Sequence, residues 1–230
     1  RIVGEGGNLG FTQNGRNEYA LGGGRLNTDA IDNSGGVDMS DHEVNLKILL
    51  NPLVQSGDLT LEDRNTLLES MTEEVAQDVL ANSTLHGRQL SLDKLRSEQD
   101  PLWFSSSIQW VCNNSQMTRA FLRLPSDDEL QFRHQSGQGL TRPELAVISA
   151  HVKMHIFKNL NNADAALIPD FNKRVSQYFP KKVQANFGDA IQSHMLHQSI
   201  GMTVLLNEIV GGAGAWLFPG LMDITGAKPT

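Results

Sequence analysis

The sequence predicts a mainly helical protein in which a bundle-like region is preceded by a short segment of different composition. Helix-start signals of the form Ser/Thr-x-x-Glu recur at Ser40–Glu43, Ser126–Glu129 and Thr141–Glu144. Apolar residues follow these signals at the spacing of one helix face. Residues 1–37 are instead rich in glycine and asparagine and show no helical period. We therefore divide the chain into residues 1–37 and a helical region over residues 38–230.

The helical region is expected to contain about eight helices joined by short loops. The first begins at Ser40 and is bent or ended by Asn51-Pro52, because the residue before a proline avoids the helical conformation. Asp100-Pro101 marks another start, since proline is tolerated in the first turn of a helix. The glycines of residues 211–214 are expected to end the last helix. The other segments expected to be helical are residues 58–82, a short stretch from 91, a stretch from 126, and residues 141–160, 169–178, 180–197 and 200–210.

Composition and charge limit the kinds of partner that the chain can have. Its 230 residues include 19 Lys and Arg against 26 Asp and Glu, a net charge of −7. A nucleic-acid surface needs clustered basic side chains, so this balance argues against a nucleic-acid partner. The single cysteine, Cys112, excludes an internal disulfide and predicts a reducing, cytoplasmic compartment. The apolar runs in the sequence are shorter than the roughly 20 residues that a membrane-spanning helix needs, so no membrane partner is predicted.

Four glycines fall within seven residues near the start of the chain, in the stretch GEGGNLG over residues 4–10. The apolar pair before them, Ile2-Val3, is typical of a strand. A dinucleotide-binding fingerprint needs glycines at its first, third and sixth positions, between a strand and a helix. The sixth position counted from Gly4 is Leu9, and no helical pattern follows, so the fingerprint fails. On spacing alone, the stretch is predicted to be a flexible loop after a strand.

A second glycine pair, Gly35-Gly36, comes just before the expected helix start at Ser40. Backbone N–H groups and the positive end of a helix dipole meet at such a point and can hold a carboxylate or phosphate group. Two features oppose this interpretation. The Ser40 hydroxyl is partly occupied if it caps its own helix, and the carboxylates of Asp38, Asp41 and Glu43 repel an anion at close range.

These two glycine-containing blocks resemble the large bacterial NAD-specific glutamate dehydrogenases. The blocks are residues 4–13 and 27–45, and the stretch GLTRPELA over residues 139–146 is similar to the carboxy-terminal region of the same family. The resemblance implies an oxidoreductase of amino-acid metabolism that uses NAD. It also implies that residues 1–37 are the last part of a Rossmann-type NAD-binding domain, a small α/β remnant in front of the helices.

The resemblance implies roles for five residues. Gly6, Gly7 and Asn8 belong to the block that is expected to line the cofactor, with Asn8 on the side of the nicotinamide ribose. Asn33 is expected near the nicotinamide and the substrate. Ser40 is similar to the serine that hydrogen-bonds the distal carboxylate of the substrate, which agrees with the anion-site interpretation.

The resemblance also implies that the catalytic residues lie elsewhere. The catalytic lysine and aspartate of the family, its substrate-binding lysines and its phosphate-binding fingerprint are expected upstream of Arg1, so no catalytic residue is assigned here. The whole enzyme is expected to convert L-glutamate to 2-oxoglutarate and ammonia while NAD accepts the hydride. We expect this chain to be a carboxy-terminal fragment that is inactive alone, with the rest of the same polypeptide as its partner in a homo-oligomer.

Two further interpretations stay open at this point. The helical region can be a regulatory or oligomerisation module that has no ligand site of its own. His151 and His155 have a spacing that can hold a metal, and His194 and His197 can join them. We favour ordinary helix histidines, because the third ligand and the neighbouring glutamate of a metal-binding helix are not evident, and we assign no metal. The large aromatic side chains, Trp103 among them, are expected in the core, with a subunit or domain contact as the alternative for some of them.

Overall fold

The computed structural model describes residues 1–162 and 164–226, and it is mainly helical, as the sequence predicts. The last four residues of the predicted helical region lie outside the described residues. A short 3₁₀ helix covers Ala165–Leu167. The α-helices, numbered in chain order, are α1 (Gln13–Leu21), α2 (Asp29–Asp32), α3 (Asp38–Ser56), α4 (Leu61–Glu69), α5 (Thr72–Gln99), α6 (Trp103–Ser115), α7 (Arg119–Leu122), α8 (Asp127–Gln135), α9 (Arg142–Leu160), α10 (Phe171–Tyr178), α11 (Lys181–Asn186), α12 (Gly188–Gln192), α13 (His197–Ala213) and α14 (Leu217–Thr225).

The chain folds into two compact units. Unit 1 comprises Arg1–Asn33, Thr84–Asn159 and the chain from Leu206 onward. Unit 2 comprises Ser34–Ser83 and Leu160–Leu205. This grouping by compactness does not test the division at residue 37, which stays a prediction about evolutionary domains.

The core of unit 1 is built from the apolar faces of its longer helices. Helix α6 packs against α14. The side chains that are almost completely buried are Leu90, Phe104, Ile108, Leu130, Leu140, Leu145 and Ile148. Trp103, the first residue of α6, is 55% exposed, so the prediction that it is a core residue is wrong.

Unit 2 is a smaller cluster of helices around α3. Helix α3 packs against α4 and α12, and the short helices α10, α11 and α12 pack against one another. The side chains that are almost completely buried in this unit are Leu50, Met71, Phe179, Ile191 and Met202. Burial of apolar surface of this kind is the main source of stability for such short helices, which are marginal in isolation.

The first segment of unit 1 contains a helix that the sequence reasoning missed. Helix α1 follows the glycine-rich stretch directly, so the prediction that no helix follows it is wrong. The nine residues of α1 carry no apolar stripe, and the side chain that this helix buries is the charged one of Arg16. The helix begins where the Thr12 hydroxyl accepts a hydrogen bond from the Gly15 N–H at 3.1 Å.

The strand expected at Ile2-Val3 is reduced to one isolated parallel β-bridge between Ile2 and Arg25. Val3 N–H donates to the Arg25 carbonyl at 2.8 Å, and Arg25 N–H donates to the Arg1 carbonyl at 3.0 Å. Residues 1–162 and 164–226 contain no longer strand. The α/β character expected of residues 1–37 is therefore not shown by the described residues, which contain this single bridge.

Two of the three predicted capping boxes are present, and one is not. Ser126 and Glu129 cap α8 reciprocally. At the start of α9, Glu144 accepts from the Thr141 N–H at 2.7 Å while the Thr141 hydroxyl accepts from the Glu144 N–H at 3.3 Å. The prediction that Ser40 caps its helix is wrong, because α3 begins two residues earlier at Asp38.

Helix lengths also differ from their predictions where one helix was expected to stop. Helix α3 continues through Pro52 to Ser56, and Gly57 in the left-handed conformation (φ 86°) ends it. Helix α5 is a single helix of 28 residues, although separate helices were expected before residue 82 and after residue 91. Helix α13 continues through Gly211 and Gly212 to Ala213, and Gly214 with φ 94° follows it, so the helix ends within the predicted glycine stretch but three residues later than expected.

Candidate functional site

The glycine-rich stretch of unit 1 is an exposed loop that is anchored by a buried ion pair. Gly6, Gly7 and Asn8 are exposed, whereas Glu5 is buried. Both carboxylate oxygens of Glu5 accept from Arg16, at 2.6 Å from Nε and 2.6 Å from Nη2. This two-point geometry fixes both the direction and the rotation of the Glu5 side chain. The hydrogen bonds that Arg16 donates to Glu5 raise the pKa of Arg16, and burial opposes this effect.

Asp29, at the start of α2, holds the other end of the same loop. Its Oδ2 accepts from the Leu9 N–H at 2.9 Å, and its Oδ1 lies 3.1 Å from Arg16 Nη2. Burial raises the pKa of the Asp29 carboxyl, but the Leu9 hydrogen bond and the Arg16 charge outweigh it and leave the pKa below its usual value. Leu9 itself has φ 57°, a left-handed conformation that a residue other than glycine keeps only when its surroundings impose it.

A second set of bonds connects the loop to helices α2 and α9. Asp32, the last residue of α2, accepts from the Glu5 N–H at 3.1 Å and from Asn27 Nδ2 at 2.6 Å. Asn27 Oδ1 in turn accepts from Arg142 Nε at 2.7 Å. The loop, α2 and the start of α9 are therefore connected by side-chain hydrogen bonds within unit 1.

Asn8 and Asn33 lie side by side on the outer face of this arrangement. Asn33 Nδ2 donates to Asn8 Oδ1 at 2.6 Å. In the part of the chain that the structure describes, the Asn8 amide nitrogen and the Asn33 amide oxygen have no protein partner. The Asn8 amide nitrogen thus offers its donor hydrogens and the Asn33 amide oxygen offers an acceptor, a pattern complementary to a carboxamide or to a sugar diol.

The donor set of this loop fits one wall of a nicotinamide site. Around Gly6 and Gly7, no heavy atom lies within 4 Å of where a Cβ would stand, so the surface above these residues is open. Exposed backbone amides and the two asparagine amides are uncharged, as contact with a carboxamide and ribose requires. The loop offers no basic side chain of its own toward a pyrophosphate, because Arg16 is committed to Glu5 and Asp29.

Ser40 belongs to unit 2, where it is the third residue of α3. Its hydroxyl is exposed and donates to the Gly36 carbonyl, the usual bond of a helical serine to the residue four positions earlier. Asp38 and Asp41 lie in the same first turn, which lowers the affinity of that helix end for an anion. Ser40 can accept a hydrogen bond as it stands, but it must release Gly36 before it can donate to a carboxylate.

The start of α3 is held in unit 2 by a polar cluster around Tyr178. The Tyr178 hydroxyl donates to Asp41 at 2.8 Å and accepts from Asn45 Nδ2 at 2.8 Å. Its ring stacks on the buried His42, with 4.4 Å between ring centroids. Burial raises the pKa of Tyr178, so this hydroxyl stays protonated and keeps donating. The cluster fixes the first two turns of α3, which carry Ser40.

Two of the histidines considered as metal ligands, His155 and His194, contact neighbouring groups. The His155 ring packs edge-on against Trp110, and the His194 Nε2 lies 3.1 Å from the Asn45 carbonyl. Burial lowers the pKa of His151, His155, His194 and His197. Within the described residues no group of three or more His, Cys, Asp or Glu side chains could hold a metal ion.

Unit 1 also contains a cavity of about 740 Å³ between α6 and α14. Trp103, Trp216 and Ile224 form its apolar wall, and the ion pair of Arg119 with Asp127 forms its polar wall. Its lining residues do not include Gly6, Gly7, Asn8 or Asn33. The cavity is therefore separate from the candidate site.

The residues that shape the candidate site are mostly ones that sequence reasoning did not select. Glu5, Arg16, Asp29, Asp32 and Arg142 determine where the loop lies, and none of them was singled out. A charged residue inside a glycine-rich stretch, Glu5, is a signal that could have been used, because a loop without a structural anchor has no need of a buried carboxylate. Its partner, 11 residues away, follows no periodic spacing.

Comparison with known proteins connects this chain to one enzyme family. Residues 1–93 match the family model described as bacterial NAD-glutamate dehydrogenase, catalytic domain, and residues 137–230 match the model described as glutamate dehydrogenase, C-terminal. The chain is 42% identical over 217 residues to the NAD-specific glutamate dehydrogenase of Mycobacterium tuberculosis, an alignment that covers 93% of this chain. It is 41% identical over 229 residues to the enzyme of the same name from Pseudomonas aeruginosa, covering 98% of this chain.

The matched part is small relative to those enzymes. The chain spans 13% of the length of the Mycobacterium tuberculosis enzyme and 14% of the length of the Pseudomonas aeruginosa enzyme. No single helix in the described residues is long and apolar enough to cross a membrane, although α13 and α14, bent by 78°, pass that test together by length and composition.

Proposed function

We propose that this chain, which belongs to the bacterial NAD-glutamate dehydrogenase family, supplies one wall of the nicotinamide site in a larger enzyme. The larger enzyme converts L-glutamate to 2-oxoglutarate and ammonia, and NAD supplies the hydride-accepting chemistry when it is bound. The observation that supports this role is the exposed Asn8–Asn33 amide pair beside the open glycines of the loop. Binding and orientation are the contributions that these residues make.

Within this proposal, Asn8 and Asn33 orient the nicotinamide end of the cofactor. The Asn8 amide nitrogen donates, and the Asn33 amide oxygen accepts, so that together they recognise a group with one acceptor and one donor. Gly6 and Gly7 leave their backbone N–H groups accessible, because no side chain stands over them. Holding the ring in one orientation raises the fraction of bound cofactor that is placed for reaction.

We also propose that residues 1–37 complete a Rossmann-type domain. The supporting observation is the parallel bridge between Ile2 and Arg25, with the glycine-rich loop and α1 between the two bridged residues. A parallel pairing that is connected through a loop and a helix is the arrangement of a βαβ unit. The rest of that domain, and the catalytic residues, are expected in the polypeptide upstream of Arg1.

The test of the cofactor role is the affinity for NADH of the full-length enzyme, measured by the fluorescence of the bound nucleotide. Asn8→Ala and Asn33→Ala should each raise the NADH Kd about tenfold, because each removes one or two hydrogen bonds to the ligand. Asn14→Ala is the matched control, since Asn14 is an exposed asparagine on α1. An unchanged Kd in both variants, with melting temperatures like the wild type, would overturn the proposal.

Ser40 is proposed to bind the distal carboxylate of glutamate, with its hydroxyl turning from the Gly36 carbonyl to the substrate. Ser40→Ala should then raise the KM for glutamate and leave the NADH Kd unchanged. Ser193→Ala is the control, because the exposed Ser193 hydroxyl makes the same bond to a carbonyl four residues earlier. Equal effects of the two substitutions on KM would remove Ser40 from the site.

A second candidate function applies to residues 51–230, which are a helical regulatory or oligomerisation module if they bind no ligand. What favours it is that all proposed site residues fall within residues 1–40. Deleting residues 51–230 from the full-length enzyme should abolish assembly into a homo-oligomer or its regulation, as measured by light scattering and by glutamate saturation curves. The 230-residue chain by itself is expected to show no glutamate-dependent NAD reduction, and measurable reduction would contradict the assignment of the catalytic residues to the upstream polypeptide.

A further inference from the structure

Arg142, the first residue of α9, makes three hydrogen bonds that join three segments of unit 1. Its Nε donates to Asn27 Oδ1 at 2.7 Å, its Nη1 donates to Ser91 Oγ at 2.8 Å, and its Nη2 donates to the Gly87 carbonyl at 3.1 Å. Two of these acceptors belong to α5, and the third belongs to the segment between the glycine-rich loop and α2. The guanidinium therefore fixes Asn27 with respect to both α5 and α9.

The three acceptors of Arg142 are an amide oxygen, a hydroxyl and a backbone carbonyl, so they are all uncharged. An arginine that only needed charge neutralisation would face a carboxylate. A planar group with donors in fixed directions suits a different task, which is to hold several acceptors in one geometry. Burial lowers the pKa of Arg142 from its usual value, while the negative charge of Asp32 opposes that effect.

From Asn27 the connection continues to the candidate site. Asn27 Nδ2 donates to Asp32 Oδ1 at 2.6 Å, and the other oxygen of Asp32 accepts from the Glu5 N–H at 3.1 Å. Asp32 immediately precedes Asn33 in the chain, and Glu5 lies in the same loop as Asn8. Asp32 thus binds the loop at Glu5, three residues before Asn8, and is itself the residue before Asn33.

We propose that Arg142 is a positioning residue for the nicotinamide site, setting through Asn27 and Asp32 the distance and orientation at which Asn8 and Asn33 meet, an assignment that rests on the proposed function. Arg142 touches neither asparagine directly. Its effect on the cofactor passes through α2, whose four residues lie between Thr28 and Asn33. Arg142 lies in residues 137–230, the segment that matches the C-terminal family model, so its hydrogen bonds connect that segment to the loop at residues 4–10.

The experiment compares Arg142→Gln, Arg142→Lys and the control Arg88→Gln in the full-length enzyme. Arg88 is an exposed arginine on α5, next to the Gly87 carbonyl that Arg142 contacts. Arg142→Gln should raise the NADH Kd about tenfold, the effect of one charge-assisted hydrogen bond. Arg142→Lys should recover little of that affinity, because an ammonium group cannot reproduce the three fixed directions of the guanidinium. The KM for glutamate at saturating NAD should change less than twofold in all three variants.

A combined substitution shows whether Arg142 acts through the asparagine pair. In a background that carries both Asn8→Ala and Asn33→Ala, Arg142→Gln should cause no further loss of NADH affinity, because the groups that it positions are already absent. A further tenfold loss in that background would overturn the assignment, and so would an unchanged Kd in Arg142→Gln itself. If Arg142→Gln fails to fold, Asn27→Ala interrupts the same connection without removing the guanidinium, and its melting temperature serves as the folding check.

The outcomes also separate this assignment from the proposed function. If Asn8→Ala and Asn33→Ala leave NADH binding unchanged, the loop does not bind the nicotinamide and the proposed function fails. If those substitutions weaken binding while Arg142→Gln and Asn27→Ala do not, the function stands and the positioning role fails.

Discussion

Two loops of unit 1 are each built around a buried arginine–glutamate pair, and the sequence predicted the helix start beside one of them but neither pair. In the loop before α9, Arg133 binds both oxygens of Glu144 at 2.8 and 2.9 Å. In the glycine-rich loop, Arg16 binds both oxygens of Glu5 at 2.6 Å. The partners are 11 residues apart in both cases, so the chemistry and the spacing are alike. What differs is the local context of the glutamate.

Glu144 is part of a local motif as well as of the ion pair. Its Oε2 accepts from the Thr141 N–H and from the Thr141 hydroxyl, so the helix start and the buried pair share one carboxylate. Gly139, just before, approaches the backbone of α5 so closely that a Cβ would stand 2.7 Å from Glu98 N. The motif over residues 139–146 is therefore a helix start seated against α5.

Glu5 has no such motif around it, and its arginine has a second acidic partner. Arg16 also lies 3.1 Å from Asp29 Oδ1, so its charge is compensated from two sides. The difference shows that a capping pattern, whose two residues lie three positions apart, can be recognised in a sequence. A pair of charged residues 11 positions apart cannot. The second, less visible arrangement is the one that holds the loop of the candidate site.

The largest predicted effect sharpens this comparison directly. Glu144→Gln should lower the free energy of unfolding by about 3–5 kcal/mol, because it leaves the buried Arg133 charge without its partner. Glu5→Gln should cost less, about 2 kcal/mol, because Arg16 keeps Asp29. Urea unfolding of both variants measures the two values.

Arg123→Gln is a suitable control for those measurements, since Arg123 is an exposed arginine in unit 1. Equal losses for Glu5→Gln and Glu144→Gln would show that Asp29 does not compensate Arg16. A larger loss for Glu5→Gln would reverse the comparison.

The fold was predictable where signals are local and unpredictable where contacts decide. Ser126 and Thr141 correctly predicted the starts of α8 and α9, because the groups that cap a helix lie within three residues of one another. Helix α1 was missed because its buried side chain, Arg16, is charged and its partner lies outside the helix. The same pattern misled at Ser40, where α3 begins earlier, at Asp38.

The candidate site was predictable only through family resemblance. That resemblance selected Asn8 and Asn33, which the structure brings to 2.6 Å from each other, while their binding role stays a prediction. Spacing alone favoured a flexible loop, because nothing in residues 4–10 reveals that Asp29 and Asp32 bind the backbone of Leu9 and Glu5. Such bonds join residues 20 and 27 positions apart, beyond any periodic signal.

Acid should affect α5 and the glycine-rich loop in different pH ranges, because the pKa values of His86 on α5 and of Asp29 beside the loop are lowered from different usual values. Burial lowers the pKa of His86 on α5 to about 4, and Lys153 of α9 lies 3.0 Å away. Since the unfolded state binds a proton below about pH 6.5 and the folded state only below about pH 4, stability is complete above pH 6.5 and falls toward pH 4. The loss from His86 should reach about 2–3 kcal/mol at pH 4.5.

His86→Gln should therefore flatten the decrease of the melting temperature between pH 6.5 and 4.5, and His134→Gln, which changes an exposed histidine, should not. The pKa of Asp29, which binds the glycine-rich loop from the start of α2, is lowered, so its contribution is present above its usual pKa and is lost only in stronger acid. Hydrogen exchange at pH 5 should accordingly increase around α5 and α9 before it increases in residues 4–10. The reverse order would show that the contact between His86 and Lys153 is not what acid weakens.

The smallest predicted effect concerns the caps of α1 and α8. Ser126→Ala should cost about 1 kcal/mol, because it removes one half of a reciprocal box. Thr12→Ala should cost a similar amount or less in global stability, since the Thr12 hydroxyl binds the Gly15 N–H alone.

The two substitutions differ in their functional consequence, because α1 carries Arg16, which holds the loop of Asn8. Thr12→Ala should therefore weaken NADH binding a few-fold in the full-length enzyme, Thr12→Ser should restore it by returning the hydroxyl, and Ser126→Ala should leave it unchanged. If Ser126→Ala weakens NADH binding as much as Thr12→Ala does, general loss of stability explains both, and the link from α1 to the candidate site is wrong.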